Sequence, residues 1–110
     1  MDVFEAVAEP TRRAVLDLLA GRERSAGEIV AAFPELTQPA VSRHLRVLRE
    51  CRLVDVRADG ARRVYSLRAS GLAELDRWLE GYRRFWAARL DDLERHLDAQ
   101  ALAERPEEGT

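Results

Sequence analysis

Cysteine occurs once, as Cys51, so the chain can form neither an intrachain disulfide nor a multi-cysteine metal cage. Lysine does not occur, and every fixed cation among the 18 basic residues is an arginine. The two histidines, His44 and His96, lie too far apart in sequence to make a site by themselves. No run of about 18 apolar residues exists, which argues against a membrane partner. Met1-Asp2-Val3-Phe4-Glu5 lacks the basic and apolar regions of a signal peptide, so a cytoplasmic location is expected. A Gly-rich phosphate loop, a nucleophile elbow and paired carboxylates with a pocket are also missing, and with them any support for an enzyme. What remains is 110 residues, 46% hydrophobic and 35% charged, a soluble chain with one core that gains from a partner subunit.

The net charge of −2 argues at first against a nucleic-acid partner, but the distribution reverses that. Residues 37–68 carry eight arginines against Glu50, Asp55 and Asp59, a local balance of +5. Residues 1–36 carry four arginines against seven acids, and residues 69–110 six against ten, giving −3 and −4. A basic island between acidic flanks can hold phosphate because attraction is screened over roughly 10 Å at ordinary salt and depends on the local field.

Within the island, Thr37 to Glu50 is patterned as a helix. At about 100° per residue, Ala40, Val41, Leu45, Val47 and Leu48 fall on one side and Gln38, Ser42, Arg43, Arg46 and Arg49 on the other. Thr37 is a good N-cap, and Pro39 is tolerated in a first turn whose amides have no helical partner. Polar side chains at the start of such a helix suit base edges in a major groove, and the later cations suit the backbone. An ordinary amphipathic helix with a solvated arginine face has the same pattern, so the flanking segments decide.

Upstream, Val3, Phe4, Val7 and Ala8 mark a short helix over 2–8, broken at Glu9-Pro10-Thr11. Pro10 suits the first position of a helix over 10–20 that buries Ala14, Val15, Leu18 and Leu19 and stops at Gly21. Arg12 and Arg13 read as structural or surface residues. Ser25-Ala26-Gly27-Glu28 is a capping box that opens a helix closed by Pro34. Only Pro34-Glu35-Leu36 separates that helix from Thr37, the signature of a helix-turn-helix. Downstream, 53–57 and 63–68 are β-branched and aromatic, and Asp59-Gly60 between them predicts a type I′ hairpin. Val54, Val56, Tyr65 and Leu67 are expected to cover the core while Arg57, Arg62 and Arg63 project near the tip, toward phosphate or a minor groove. The architecture expected is mostly α with a small β-hairpin, in the order α-α-α-α-β-β-α.

The runs Glu9-Pro10-Thr11-Arg12-Arg13, Ser25-Ala26-Gly27-Glu28-Ile29, Gln38 to Leu48 and Gly60 to Leu67 together resemble the ArsR/SmtB winged-helix repressors, over about residues 2–98. The resemblance implies a winged helix-turn-helix homodimer that represses transcription from a near-palindromic double-stranded DNA operator, often its own promoter. It places Gln38, Ser42, Arg43 and Arg46 on the DNA-reading helix and the wing arginines near the flanking groove. With the cap and the last cation of the helix, the expected DNA-binding set is Thr37, Gln38, Ser42, Arg43, Arg46, Arg49, Arg57, Arg62 and Arg63. Glu9 stands where the family often has Asp and should cap more weakly. Metal sensing through paired thiolates needs cysteines in about 25–36, where none occurs. The C-terminal helix offers Asp92 and His96 at i, i+4 without the second histidine of the family's zinc sites, so no metal or cofactor is expected. A two-ligand site shared across a dimer is the alternative, and an oxidant acting at Cys51 is the alternative to an inert, packed thiol. No residue pattern names an effector.

The last helix, about 71–98, carries Leu72, Leu75, Leu79, Tyr82, Trp86, Leu90, Leu93 and Leu97 at steps of three and four, with Trp78 and Phe85 beside the stripe. Its length of roughly 40 Å at 1.5 Å per residue exceeds what one small core can cover. A dimer interface of Val3, Phe4, Val7, Leu79, Tyr82, Trp86, Leu90, Leu93 and Leu97 is therefore expected. The domain is expected to span 1–100, followed by an acidic flexible tail over 101–110. The reading from another class is a helical dimer whose basic face docks on an acidic protein partner.

Overall fold

The structure is a computed structural model that describes residues 1–104. The elements run α1 (Val3–Ala8), α2 (Pro10–Gly21), β1 (Arg24–Ser25), α3 (Ala26–Ala32), α4 (Gln38–Glu50), β2 (Val54–Asp59), β3 (Arg62–Leu67), a 3-10 turn (Ala69–Leu72) and α5 (Ala73–Glu104). By its contacts the chain forms two units, residues 1–75 and residues 76–110.

In the first unit each helix start is capped from its own sequence. Asp2 accepts from the Glu5 amide at 2.9 Å and opens α1. Glu9 accepts from the Arg12 amide at 2.9 Å and opens α2, so the longer acid still closes the cap. Arg12 and Arg13 have the structural role expected of them, though through carbonyls and not acids. Arg12 donates to the Ala6 and Glu5 carbonyls at 2.7 and 3.1 Å, and Arg13 to Val7 at 2.7 Å. The last carbonyls of α1, which have no helical donor, are thereby satisfied. Ser25 and Glu28 close both halves of the capping box on α3.

The core gathers Ala6, Val15, Leu19, Ile29, Val41, Leu45, Leu48, Leu53, Val54 and Tyr65, all buried. In α2 the buried stripe is Val15, Leu16 and Leu19, while Ala14 and Leu18 are only half-buried. The helix is rotated by part of a turn relative to the expectation, toward the side that faces the sheet and α4. Val3 is also buried in this core, at 6% exposure, so it has little surface left for a second subunit. Phe4 and Val7 pack half-buried against the same core.

The hairpin gains a third strand that its own sequence does not announce. β1 pairs antiparallel with β3, Arg24 opposite Tyr65 and Ser25 opposite Val64, and the sheet order is β1-β3-β2. A lone hairpin is marginal in water, so this edge gives β3 a partner on both sides. The turn also differs from the type I′ expectation. Asp59 pairs with Arg62, leaving Gly60-Ala61 as the two-residue loop, and only Gly60 has positive φ, +62°. Glycine at the first central position is the type II′ pattern.

α4 ends in a left-handed residue, Arg52 at φ +59°, with the Leu53 amide donating to the Leu48 carbonyl at 2.9 Å. This is a Schellman stop made without glycine. Gly71 then passes so close that a Cβ there would stand 2.1 Å from the Arg52 carbonyl oxygen. The glycine of this corner serves close approach, and the arginine takes the strained dihedral.

The second unit is the body of α5. The helix runs to Glu104, so residues 101–104 of the expected tail are helical, and 105–110 lie outside the described residues. Leu72 and Leu75, the first two of the terminal stripe, belong to the first unit's core. Beyond them Trp78, Tyr82, Phe85, Trp86, Leu90, Leu93 and Leu97 are each about half exposed or more. Trp78 and Tyr82 stack edge-to-face at 5.1 Å between ring centroids, and Arg89 lies over Phe85. Among the described residues no helix is long and apolar enough to cross a membrane.

Candidate nucleic-acid interface

α4 divides along its length as its sequence requires. Val41, Leu45 and Leu48 are buried and Ala40 and Val47 half-buried, while Gln38, Ser42, Arg43, Arg46 and Arg49 are exposed. Thr37 accepts from the Ala40 amide at 3.3 Å and so fixes the first turn. Three buried aliphatics every third or fourth residue lock the helix about its axis, which sets where each polar side chain points.

The polar residues separate onto two flanks. Gln38, Ser42, Arg46 and Arg49 line a concavity of about 600 Å³ together with Arg63 and Tyr65 of β3 and Ala26, Gly27 and Val30 of α3. Arg43 stands on the other flank, in a shallower depression with Arg12, His44 and Val47. His44 is half-buried, and its Nδ1 lies 3.9 Å from the Glu9 carboxylate, an ion-pair distance too long for a hydrogen bond. Burial pushes the Glu9 carboxyl up, but the Arg12 amide and the charge of His44 outweigh it and hold it below the ordinary range. Cys51 is half-buried just past α4, its thiol donating to the Met1 carbonyl at 3.2 Å.

The wing arginines are not equivalent. Arg57 meets Glu23 at 2.6 Å, and Arg62 meets Glu28 at 3.3 Å, each across 34 residues of sequence. Glu28 also accepts from the Ser25 amide at 3.1 Å and from Arg22 at 3.0 Å. Those hydrogen bonds, the Ser25 amide first and the Arg22 guanidinium second, hold its carboxyl at about 2. Arg43, Arg46, Arg49 and Arg63 form no ion pair with any acid among the described residues. Sequence reasoning grouped all three wing cations together and missed Glu23, because nothing local links it to residue 57.

On α5, Asp92 and His96 lie on one face with Leu90 and Leu93. Arg95 holds the Asp92 carboxylate at 2.6 Å. Among the described residues no group of three or more potential metal ligands comes together.

A capped helix with its cations outward, preceded by a short helix across a tight turn and followed by a β-ribbon, defines the winged helix-turn-helix class of DNA-binding regulators. The sequence profile of the bacterial regulatory proteins of the arsR family matches residues 9–56. The chain is 40% identical over 97 residues to the HTH-type transcriptional regulator Rv2034 of Mycobacterium tuberculosis, covering 88% of this chain and 87% of that one. It is 35% identical over 78 residues to the transcriptional repressor SdpR of Bacillus subtilis, covering 71% and 86%. Among solved structures it is similar to the homodimeric winged helix-turn-helix DNA-binding domain of Mb0332 from Mycobacterium bovis, a possible ArsR-family regulator. That likeness has a TM-score of 0.59 and 29% identity over 74% of this chain and 75% of the other. The chain belongs to the ArsR family of bacterial transcriptional regulators.

Proposed function

We propose that two copies of this chain bind a near-palindromic operator, one α4 in each of two successive major grooves, and repress transcription of their own or a neighbouring operon. The observation that carries this reading is an exposed cationic surface of Arg43, Arg46 and Arg49 on α4 and Arg63 on β3, none in an ion pair with an acid among the described residues, with Arg46, Arg49 and Arg63 lining one concavity with Gln38 and Ser42. Gln38 and Ser42, near the positive end of the helix, read base edges. Arg43, Arg46, Arg49 and Arg63 take phosphates, Thr37 fixes the first turn, and Arg57 and Arg62 reach the flanking groove only by exchanging their carboxylates. The exposed aromatic and leucine stripe of α5, from Tyr82 and Trp86 to Leu90, Leu93 and Leu97, with half-buried Leu79 at its start, supports pairing with a second copy. Phe4 and Val7 add little, being half-buried already. The reading assigns no chemical step to the protein and places it in the cytoplasm with the DNA.

Titration of a fragment of the protein's own promoter at about 150 mM salt tests it. Arg46→Ala and Arg43→Ala are each expected to weaken binding by about tenfold and to lower the salt slope by about one, with the dimer intact. Unchanged affinity in both variants contradicts the assignment. A specific complex with an acidic protein, and none with promoter DNA, favours the interaction-module reading instead.

A further inference from the structure

Two ion pairs reach the wing, one from Glu23 just before β1 and one from Glu28 in the first turn of α3, and they bear on selectivity. A surface pair of this kind contributes little to stability, because both groups lose only part of their hydration and hold long side chains still. Its electrostatic effect is local and larger. A phosphate that approaches Arg57 meets the Glu23 carboxylate, 2.6 Å from the same guanidinium, so the contact is made only if the pair opens or the two anions crowd together. Arg62 is in the same position with Glu28, although that carboxylate is shared with Arg22 and with the α3 cap. Glu23 has no second charged partner among the described residues, which makes it the cleaner of the two.

We infer that Glu23 is a specificity-determining residue that withholds Arg57 from indiscriminate phosphate contact, so that general attraction to DNA is carried by α4 and Arg63 alone. This rests on the DNA-binding reading above. Selectivity is a difference of affinities, and an acid placed against a cation lowers binding to every duplex that does not offer that cation a better acceptor. A cognate groove that presents a phosphate in the right place opens the pair. A random duplex does not. Ala26 and Gly27, which immediately precede Glu28, line the same concavity as Arg46, Arg49 and Arg63, so this acidic edge borders the cationic surface directly.

The test compares wild type, Glu23→Gln and the double variant Glu23→Gln/Arg57→Gln on two probes, a random-sequence duplex of about 30 base pairs and the promoter fragment, across a range of salt. Glu23→Gln is expected to bind the random duplex three- to tenfold more tightly at about 150 mM salt, with a slope steeper by about 0.9, one additional phosphate. Promoter affinity rises less, so discrimination narrows. The double variant returns the random-duplex slope to the wild-type value. A Glu23→Gln protein with wild-type slope and discrimination overturns the inference while leaving the DNA-binding reading intact, as does a double variant that keeps the steeper slope. Wild-type protein that holds neither duplex at about 50 mM salt overturns both.

Discussion

Glu28 carries the largest electrostatic shift in the chain's first unit, and its causes are local. Its carboxylate accepts from the Ser25 amide and from Arg22, which holds the pKa at about 2 against an ordinary 4.5. A group whose folded pKa is lowered contributes stability that is complete above the unfolded value and lost as pH falls toward the folded one. The window is therefore pH 4.5 down to about 2. Urea midpoints measured through that window are expected to fall more steeply for wild type than for Glu28→Gln; parallel curves contradict it. The capping half of this arrangement was legible, since Ser25 and Glu28 stand three apart and any helix start with that spacing closes the same ring. The ion pairs to Arg57 and Arg62 were not, because they join residues 34 apart whose proximity depends on the sheet. Arg12 and Arg13 show the same limit: their structural role was readable, but their carbonyl partners became visible only with α1 in place.

Among elements, α4 was the most legible. Its cap, its proline and its two faces all follow from one period, and the structure keeps Gln38–Glu50 as a single helix. β1 was not, because two residues leave no alternation to detect and Ser25 already reads as a cap. The hairpin was placed correctly, but its turn shifted by one residue. A type I′ loop centred on Asp59-Gly60 puts Asp59 at positive φ, whereas pairing Asp59 with Arg62 leaves that demand on Gly60 alone. α5 carries the clearest surplus of apolar surface, with Trp86 49% exposed at its middle. Trp86→Asp places a charge where the second copy is proposed to pack. It is expected to weaken the dimer by at least about 30-fold, the equivalent of about 2 kcal/mol, and to lose operator binding as a consequence. Sedimentation of this variant as a wild-type dimer contradicts that role for α5.

For the whole molecule, a mildly acidic protein handles a polyanion by segregating its charge. The acids concentrate in the first 36 residues and along α5, where Arg83 pairs with Asp76 and Glu80 and Arg95 with Asp92. The cations concentrate on α4 and the ribbon, where Arg43, Arg46, Arg49 and Arg63 are exposed and form no ion pair with an acid among the described residues. One such surface is proposed to cover a single half-site, where phosphate contacts of this number are expected to give modest affinity that depends strongly on salt. On the proposed pairing, doubling through α5 would supply the second half-site, and the apolar stripe of α5 would then matter to DNA binding without touching DNA. The measurement that tests this most directly is a footprint on the protein's own promoter. Two protected half-sites related by a dyad, with centres about one helical turn or roughly 34 Å apart, are expected. Protection of a single half-site, or of no preferred position at all, contradicts the paired recognition-helix account.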